Sequence, residues 1–231
     1  VAIGMDSRAT DSDAIAIGRT AEASGTQAVA IGLGSSASDS DAIAIGQTAN
    51  ASGANGIAIG HSAQAALRAV AFGADSQATS TGAVAIGEGS SATDGYTVAI
   101  GSNSEATDSY SVAVGASASA TGDNGTAIGT FSEATGIETT VVGYSAAAEG
   151  DRSTAMGTRA EATGSNASAF GQMATASAIG ATALGQGATA SGVSSLALGK
   201  SSVASNTTAL AVGVRAQAEG RGSVALGGGT A

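Results

Sequence analysis

The chain has no cysteine, no proline and no tryptophan, and only six of its 231 residues are aromatic. Without cysteine it has neither disulfides nor thiol chemistry, which leaves the compartment open. With so few aromatics, the usual enzyme core of Leu, Phe and other bulky side chains is out of reach. Positive charge is also scarce: 8 basic residues face 18 acidic ones, for a net charge of −10. Lys and Arg form no cluster, so a phosphate backbone would be repelled and nucleic acid is not an expected partner. No apolar run approaches the length of a membrane-spanning helix, and no signal-peptide pattern opens the chain. Both ends fall in mid-pattern, so the chain is expected to be a piece of a longer protein.

What is abundant is small: Ala, Ser, Thr and 36 Gly, with Ile and Val as the main large residues. This is too apolar for a disordered linker and too poor in bulk for an ordinary core. The explanation is an internal repeat. The stretch Val84–Gly95, VAIGEGSSATDG, nearly recurs at 98–109 as VAIGSNSEATDS and at 29–40 as VAIGLGSSASDS. Glycines that follow the apolar run, from Gly4 to Gly227, are spaced by 14 residues except for the 13 between Gly60 and Gly73. Sixteen complete repeats and a partial seventeenth result.

With this glycine as position four, position three is always large and apolar, and position two is Ala except at Val141. Position one is Val, Ile or Leu, except for the consecutive Thr126, Thr140, Thr154, Ser168 and Thr182. Position seven is Ser or Ala, position nine is Ala throughout, and position eight between them is free. Short alternating runs at positions one to three and seven to nine predict strands. Gly at four and Gly, Asp or Asn at eleven mark two turns, where these residue types accept positive φ. Stacked units of strand, turn, strand, turn make a parallel β-solenoid, and sixteen coils at ~4.8 Å each would span roughly 75–80 Å.

Positions seven and nine should point inward and position eight to water. On the first strand both faces are restricted: Ala on one, Val or Ile on the other. Such a strand is buried on both sides, and the chain offers no second domain to cover it, so a homo-oligomer is expected. Either Ala fills the roll and the Val/Ile columns face a partner, or the reverse.

The unit VAIGxxSxAxG resembles the head repeats of YadA-like trimeric autotransporter adhesins. It stands here as Val84-Ala85-Ile86-Gly87, Val98-Ala99-Ile100-Gly101 and Ile43-Ala44-Ile45-Gly46, and the resemblance covers essentially all of residues 1–231 as one head domain. It implies an all-β fold, a left-handed parallel β-roll, and a parallel homotrimer. It also implies a place on the bacterial cell surface, anchored in the outer membrane by a C-terminal barrel absent from this chain. The implied partner is a host extracellular matrix protein or cell-surface receptor. In the family's founding member collagen binding goes with Asn-Ser before the VAIG unit. Here Ser12-Asp13-Ala14, Asp41-Ala42 and Tyr96-Thr97 stand in that place instead, which weakens collagen as the specific ligand.

No enzyme, cofactor or metal site is expected. Ser195–Ser201, SLALGKS, glances at a phosphate-binding loop, but Ser194 replaces the first glycine and Gly199 is the repeat's turn residue. Gly-Leu-Gly at 32–34 and Gly-Glu-Gly at 87–89 are turns in register, and the terminal GGGTA at 227–231 is no calcium repeat. His61 is the single histidine, so zinc would need symmetry copies or carboxylates. Glu22, Glu105, Glu133 and Glu161, all at position eight, read as solubilising charge. Tyr96 and Tyr110 share a column in successive coils and should stack on one surface edge, which makes them candidate ligand contacts. In the 13-residue coil, His61–Ala69 lacks the turn residue at eleven, and one corner should tighten. The adhesin reading competes with a structural spacer that presents another binding domain, and with an ice-binding solenoid. The last needs a flat array, which mixed position eight spoils.

Overall fold

A computed structural model describes residues 1–228. It divides into two compact units, Val1–Ser117 and Ala118–Ala231, each built from the same coil. In unit one a coil runs from a first strand, as Ile15–Ile17, to a second, as Glu22–Ala23. In unit two the equivalents are Thr140–Val142 and Ala147–Ala148. Each strand pairs in parallel with its copy one coil on: Ile15 with Val29 and Glu22 with Ser36 in unit one, Thr140 with Thr154 in unit two. This is the expected all-β parallel solenoid. Position seven closes a turn rather than opening the second strand.

The turns correct one expectation. Position four takes positive φ as anticipated, +131° at Gly87, but position eleven does not. The left-handed residues are at six and thirteen, and there the chain accepts almost any type, from Thr20 and Gln27 to Arg68, Tyr96 and Met173. Left-handed backbone disfavours most side chains, and a ladder bond offsets that cost. The Thr20 N–H donates to Met5 O at 2.9 Å, and the Gln27 N–H to Ser12 O at 2.8 Å. The Asp and Asn residues at eleven act differently: Asp11, Asp39, Asp94 and Asn206 each accept the next residue's N–H through Oδ1. This local side-chain turn is what these residue types favour.

These bonds expose a symmetry inside the coil. Ala21 N–H donates to Gly18 O across the first turn, and Ala28 N–H donates to Gly25 O across the second. Positions one to seven and eight to fourteen therefore follow one backbone plan, apart from the positive φ at position four. Positions two and nine are the buried alanines, and seven and fourteen the buried small residues. The roll is filled by Ala at two and nine, with Val141 the single larger residue in those columns. Ser at seven hides its hydroxyl by donating to the turn carbonyl, as Ser104 Oγ does to Gly101 O at 2.9 Å. Buried hydroxyls are expected to be paired in this way.

The 13-residue coil keeps its register, with Gln64 opposite Gln77 and Ile57 opposite Val70. Ala66 does two jobs: its N–H donates to Ala78 O as position ten does elsewhere, and its carbonyl accepts from Ala69 N–H as position eleven does. The missing residue is absorbed within one corner.

Candidate binding surface

The two halves of the coil differ most on the outside. Outward from the second strand point positions eight and ten, which are polar or free: Glu22, Asn50 and Gln64 are exposed there. Outward from the first strand point one and three, which are apolar except for the hydroxyl residues Thr126 to Thr182 at position one. Ile17, Ile86 and Ile100 are each 36% exposed and Phe72 53%. Ala16, Ala30, Ala44 and their siblings at position two are fully buried, so Ala fills the roll and the Val/Ile columns face out. In both units the coil thus has one mostly polar and one mostly apolar outer sheet. Monomeric proteins seldom expose an apolar patch that runs on in this way.

Tyr96 and Tyr110 stack as the sequence predicts. Their ring centroids are 5.7 Å apart and the planes differ by 5°. Both stand at position thirteen with positive φ, more than half exposed. Glycines make room for them: a Cβ on Gly82, one coil before, would come within 2.9 Å of the Tyr96 ring, and a Cβ on Gly95 would meet open space. Two residues before each tyrosine in the chain stand Asp94, whose Oδ1 accepts the Gly95 N–H at 2.6 Å, and the exposed Asp108. The pair therefore projects two ring edges and two phenol hydroxyls from a surface of small residues. Such an edge can make apolar contact and accept or donate hydrogen bonds.

The remaining candidates are not brought together. His61 Nδ1 stands 3.7 Å from Asp75 Oδ1, both more than half exposed, and no group of three metal-ligating side chains occurs among the described residues. Gly199-Lys200-Ser201 forms a strand-to-strand turn between Leu196–Leu198 and Val203–Ala204, without the following helix that a phosphate loop needs. The four position-eight glutamates are exposed but not neighbours in the second-strand ladder: Glu22 lies between Arg8 and Ser36, and Glu133 beside Ala147, so like charges do not adjoin. Of the terminal GGGTA, residues 229–231 lie outside the described residues. Neither unit holds a pocket among the described residues.

One aromatic pair was not foreseen. Phe131 and Tyr144 meet edge to face, centroids 6.0 Å apart, both about half exposed. They occupy positions six and five of neighbouring coils. Aromatics thirteen apart in a fourteen-residue repeat are adjacent across a turn, and that spacing was the available clue.

Comparison with known families places this coil. The family described as YadA head domain repeat (2 copies) matches residues 1–104, 106–132, 134–160 and 162–230 in overlapping segments. No curated protein matches. Among solved structures the chain is similar to one described as the crystal structure of the collagen-binding domain of the Yersinia adhesin YadA. The two are 19% identical over 93% of this chain and 80% of that one, with a TM-score of 0.24.

Proposed function

The chain belongs to the YadA head repeat family, and from that membership we propose that residues 1–231 are one head domain of a bacterial surface adhesin. The family is one of adhesin heads, not of enzymes. The head attaches the cell to a host extracellular matrix protein or cell-surface receptor, and does so as a parallel homotrimer of left-handed β-rolls. A C-terminal barrel outside this chain holds it in the outer membrane.

The observation that carries the assembled form is the apolar outer sheet. Position three is a partly exposed large apolar side chain at each coil, and position one is Val, Ile or Leu outside the five coils from Thr126 to Thr182, while positions eight and ten are polar in all but a few coils. Burying such surface yields about 25 cal/mol per Å², and a copy of the same chain carries the same face at the same pitch. Assembly multiplies weak contacts made by the outer columns, so avidity exceeds the affinity of any one site. Tyr96 and Tyr110, with Phe131 and Tyr144, are the aromatic contacts we assign to the ligand.

Light scattering behind a sizing column tests the assembly: a mass of three chains, stable on dilution, is expected, and a monomer sinks it. Surface-binding assays against collagen, laminin and fibronectin, with Tyr96→Ala/Tyr110→Ala as the variant, test the ligand. Binding weakened about tenfold by the variant supports the tyrosine site. A trimer that binds none of them points to the spacer reading.

A further inference from the structure

Position one changes chemistry along unit two. Thr126, Thr140, Thr154, Ser168 and Thr182 fill it in five consecutive coils, each opposite the next in the parallel ladder. Thr182 then pairs with Leu196, and Leu210 and Val224 continue the column as aliphatics. In unit one the column from Ile15 to Val112 is aliphatic throughout. Position three stays apolar beside the hydroxyls, as at Ile128, Met156 and Leu184. The roll interior does not require this, because position one points outward and Thr and Val have nearly the same shape. Solubility would be served by scattered hydroxyls. What needs a cause is that they are contiguous.

A face with one coil pitch fits a second copy equally well at every offset of one coil. Each slip brings aliphatic columns against aliphatic columns again. Such a face drives association without setting alignment, as a weakly patterned strand leaves its register open. A block of hydroxyls on each copy removes that degeneracy. In register, hydroxyls meet hydroxyls and share hydrogen bonds or water. One coil out of register, a hydroxyl at each end of the block is buried against an aliphatic side chain without a partner, which is unfavourable. Antiparallel docking either mismatches block and aliphatic coils or, with the blocks superposed, leaves the coils from Val1 to Val70 of each copy unpaired.

We propose that the block Thr126–Thr182 is the registration element of the assembly, and that it aligns copies of this chain parallel and coil for coil. The occupant of the face is a second copy, because the pitch and the order of polar and aliphatic coils are matched only by the same chain. The device resembles the single polar core residue that sets register in a coiled coil at some cost in stability. The inference rests on the association through the first-strand face proposed above.

The absence of cysteine lets one introduced thiol carry a spin label, at Gln47→Cys on an exposed turn. In the wild-type block, pulsed electron resonance should give a single narrow distance between equivalent labels. The variant T126V/T140V/T154V/S168V/T182V uses a residue already tolerated at this column in Val29, Val70 and Val84. It should still associate but give a broader distribution with a tail to longer distances, because axial slips in steps of ~4.8 Å add in quadrature to the lateral separation of the labels. An unchanged single distance overturns the registration role while leaving association intact. Adding I43T/I57T/V70T/V84T/V98T to the valine variant relocates the block. That protein should enter mixed assemblies with wild type about tenfold less than wild type mixes with itself, and statistical mixing overturns the proposal. A wild-type monomer with no intermolecular distance would overturn the association itself, and registration with it.

Discussion

The two units solve one coil with opposite surface chemistry. In unit one the second turn opens on Asp11, Asp39, Asp94 or Asp108, or on Gly25 or Gly53, and the sheet face is aliphatic at position one. In unit two no Asp opens this turn, Gly122, Gly136, Gly150, Gly164 and Gly192 take it in most coils, and the sheet face carries the hydroxyl block. The glycine turns are also bonded differently. Gly136 N–H donates to Ala148 O at 3.4 Å, a carbonyl that already accepts from Thr135, whereas Asp94 caps its own turn through its side chain. The interior columns are the same in both. The roll therefore constrains only what points inward and where the backbone stacks, and leaves the outside free to differ between units.

The strongest test is a change that ignores the difference between units. Position four combines a left-handed glycine with close stacking: at Gly87 φ is +131°, and a Cβ would stand 2.5 Å from Gly101 O. Gly87→Ala should cost about 3 kcal/mol or more, from strain and clash together. Gly157→Ala in unit two, with φ +133° and a Cβ 2.6 Å from Gly171 C, should cost as much. Denaturant midpoints, read with local hydrogen exchange because repeat arrays need not unfold in one step, would show both. A mild effect at either glycine would break the claim that the stack is common to the two units.

Position eleven should separate them. In Gly136→Asp a Cβ would lie 2.7 Å from Glu149 O and 2.8 Å from the Gly150 carbonyl. The turn has to shift and its extra ladder bond is lost, at about 1–3 kcal/mol. Asp94→Gly makes the reverse exchange and gives up one local bond of 2.6 Å at Gly95, at about 0.5–1 kcal/mol. Equal costs would mean that the two turn types are interchangeable.

Much of this was legible in the chain because each coil repeats the same demands. The period, the strands, the buried alanines at nine and the Tyr96–Tyr110 stack follow from columns alone. Which first-strand face fills the roll did not, since Ala and Ile columns are equally restricted. The structure resolves it by volume: the interior accepts Ala16 and Ala30 but turns Ile17 and Ile31 outward. The left-handed positions six and thirteen were missed because they tolerate Arg68, Tyr96 and Met173, and a ladder bond rather than residue type holds them there. Position fourteen was missed because its mixture of Ala, Ser and Thr reads as turn filler, although Thr97 and Thr139 are wholly enclosed.

That overlooked column yields the smallest and most pointed comparison, between the two halves of the coil. At seven, the Ser104 hydroxyl donates to Gly101 O at 2.9 Å; at fourteen, the equally buried Ser153 Oγ has no partner. Some position-fourteen hydroxyls are satisfied, as Thr97 is by Asp94 O at 2.7 Å, so the half-coil itself does not forbid pairing. Ser104→Ala should destabilise by about 1 kcal/mol through the lost bond, while Ser153→Ala should stabilise by up to about 1 kcal/mol by removing an unpaired buried hydroxyl. Alanine already fills this column at Ala167 and Ala181, so neither volume nor backbone should object. Opposite signs in thermal midpoints would confirm that the halves share a backbone plan but not a hydrogen-bonding one. A loss at both sites would place an ordered water on Ser153 and make the two halves equivalent in bonding as well as in shape.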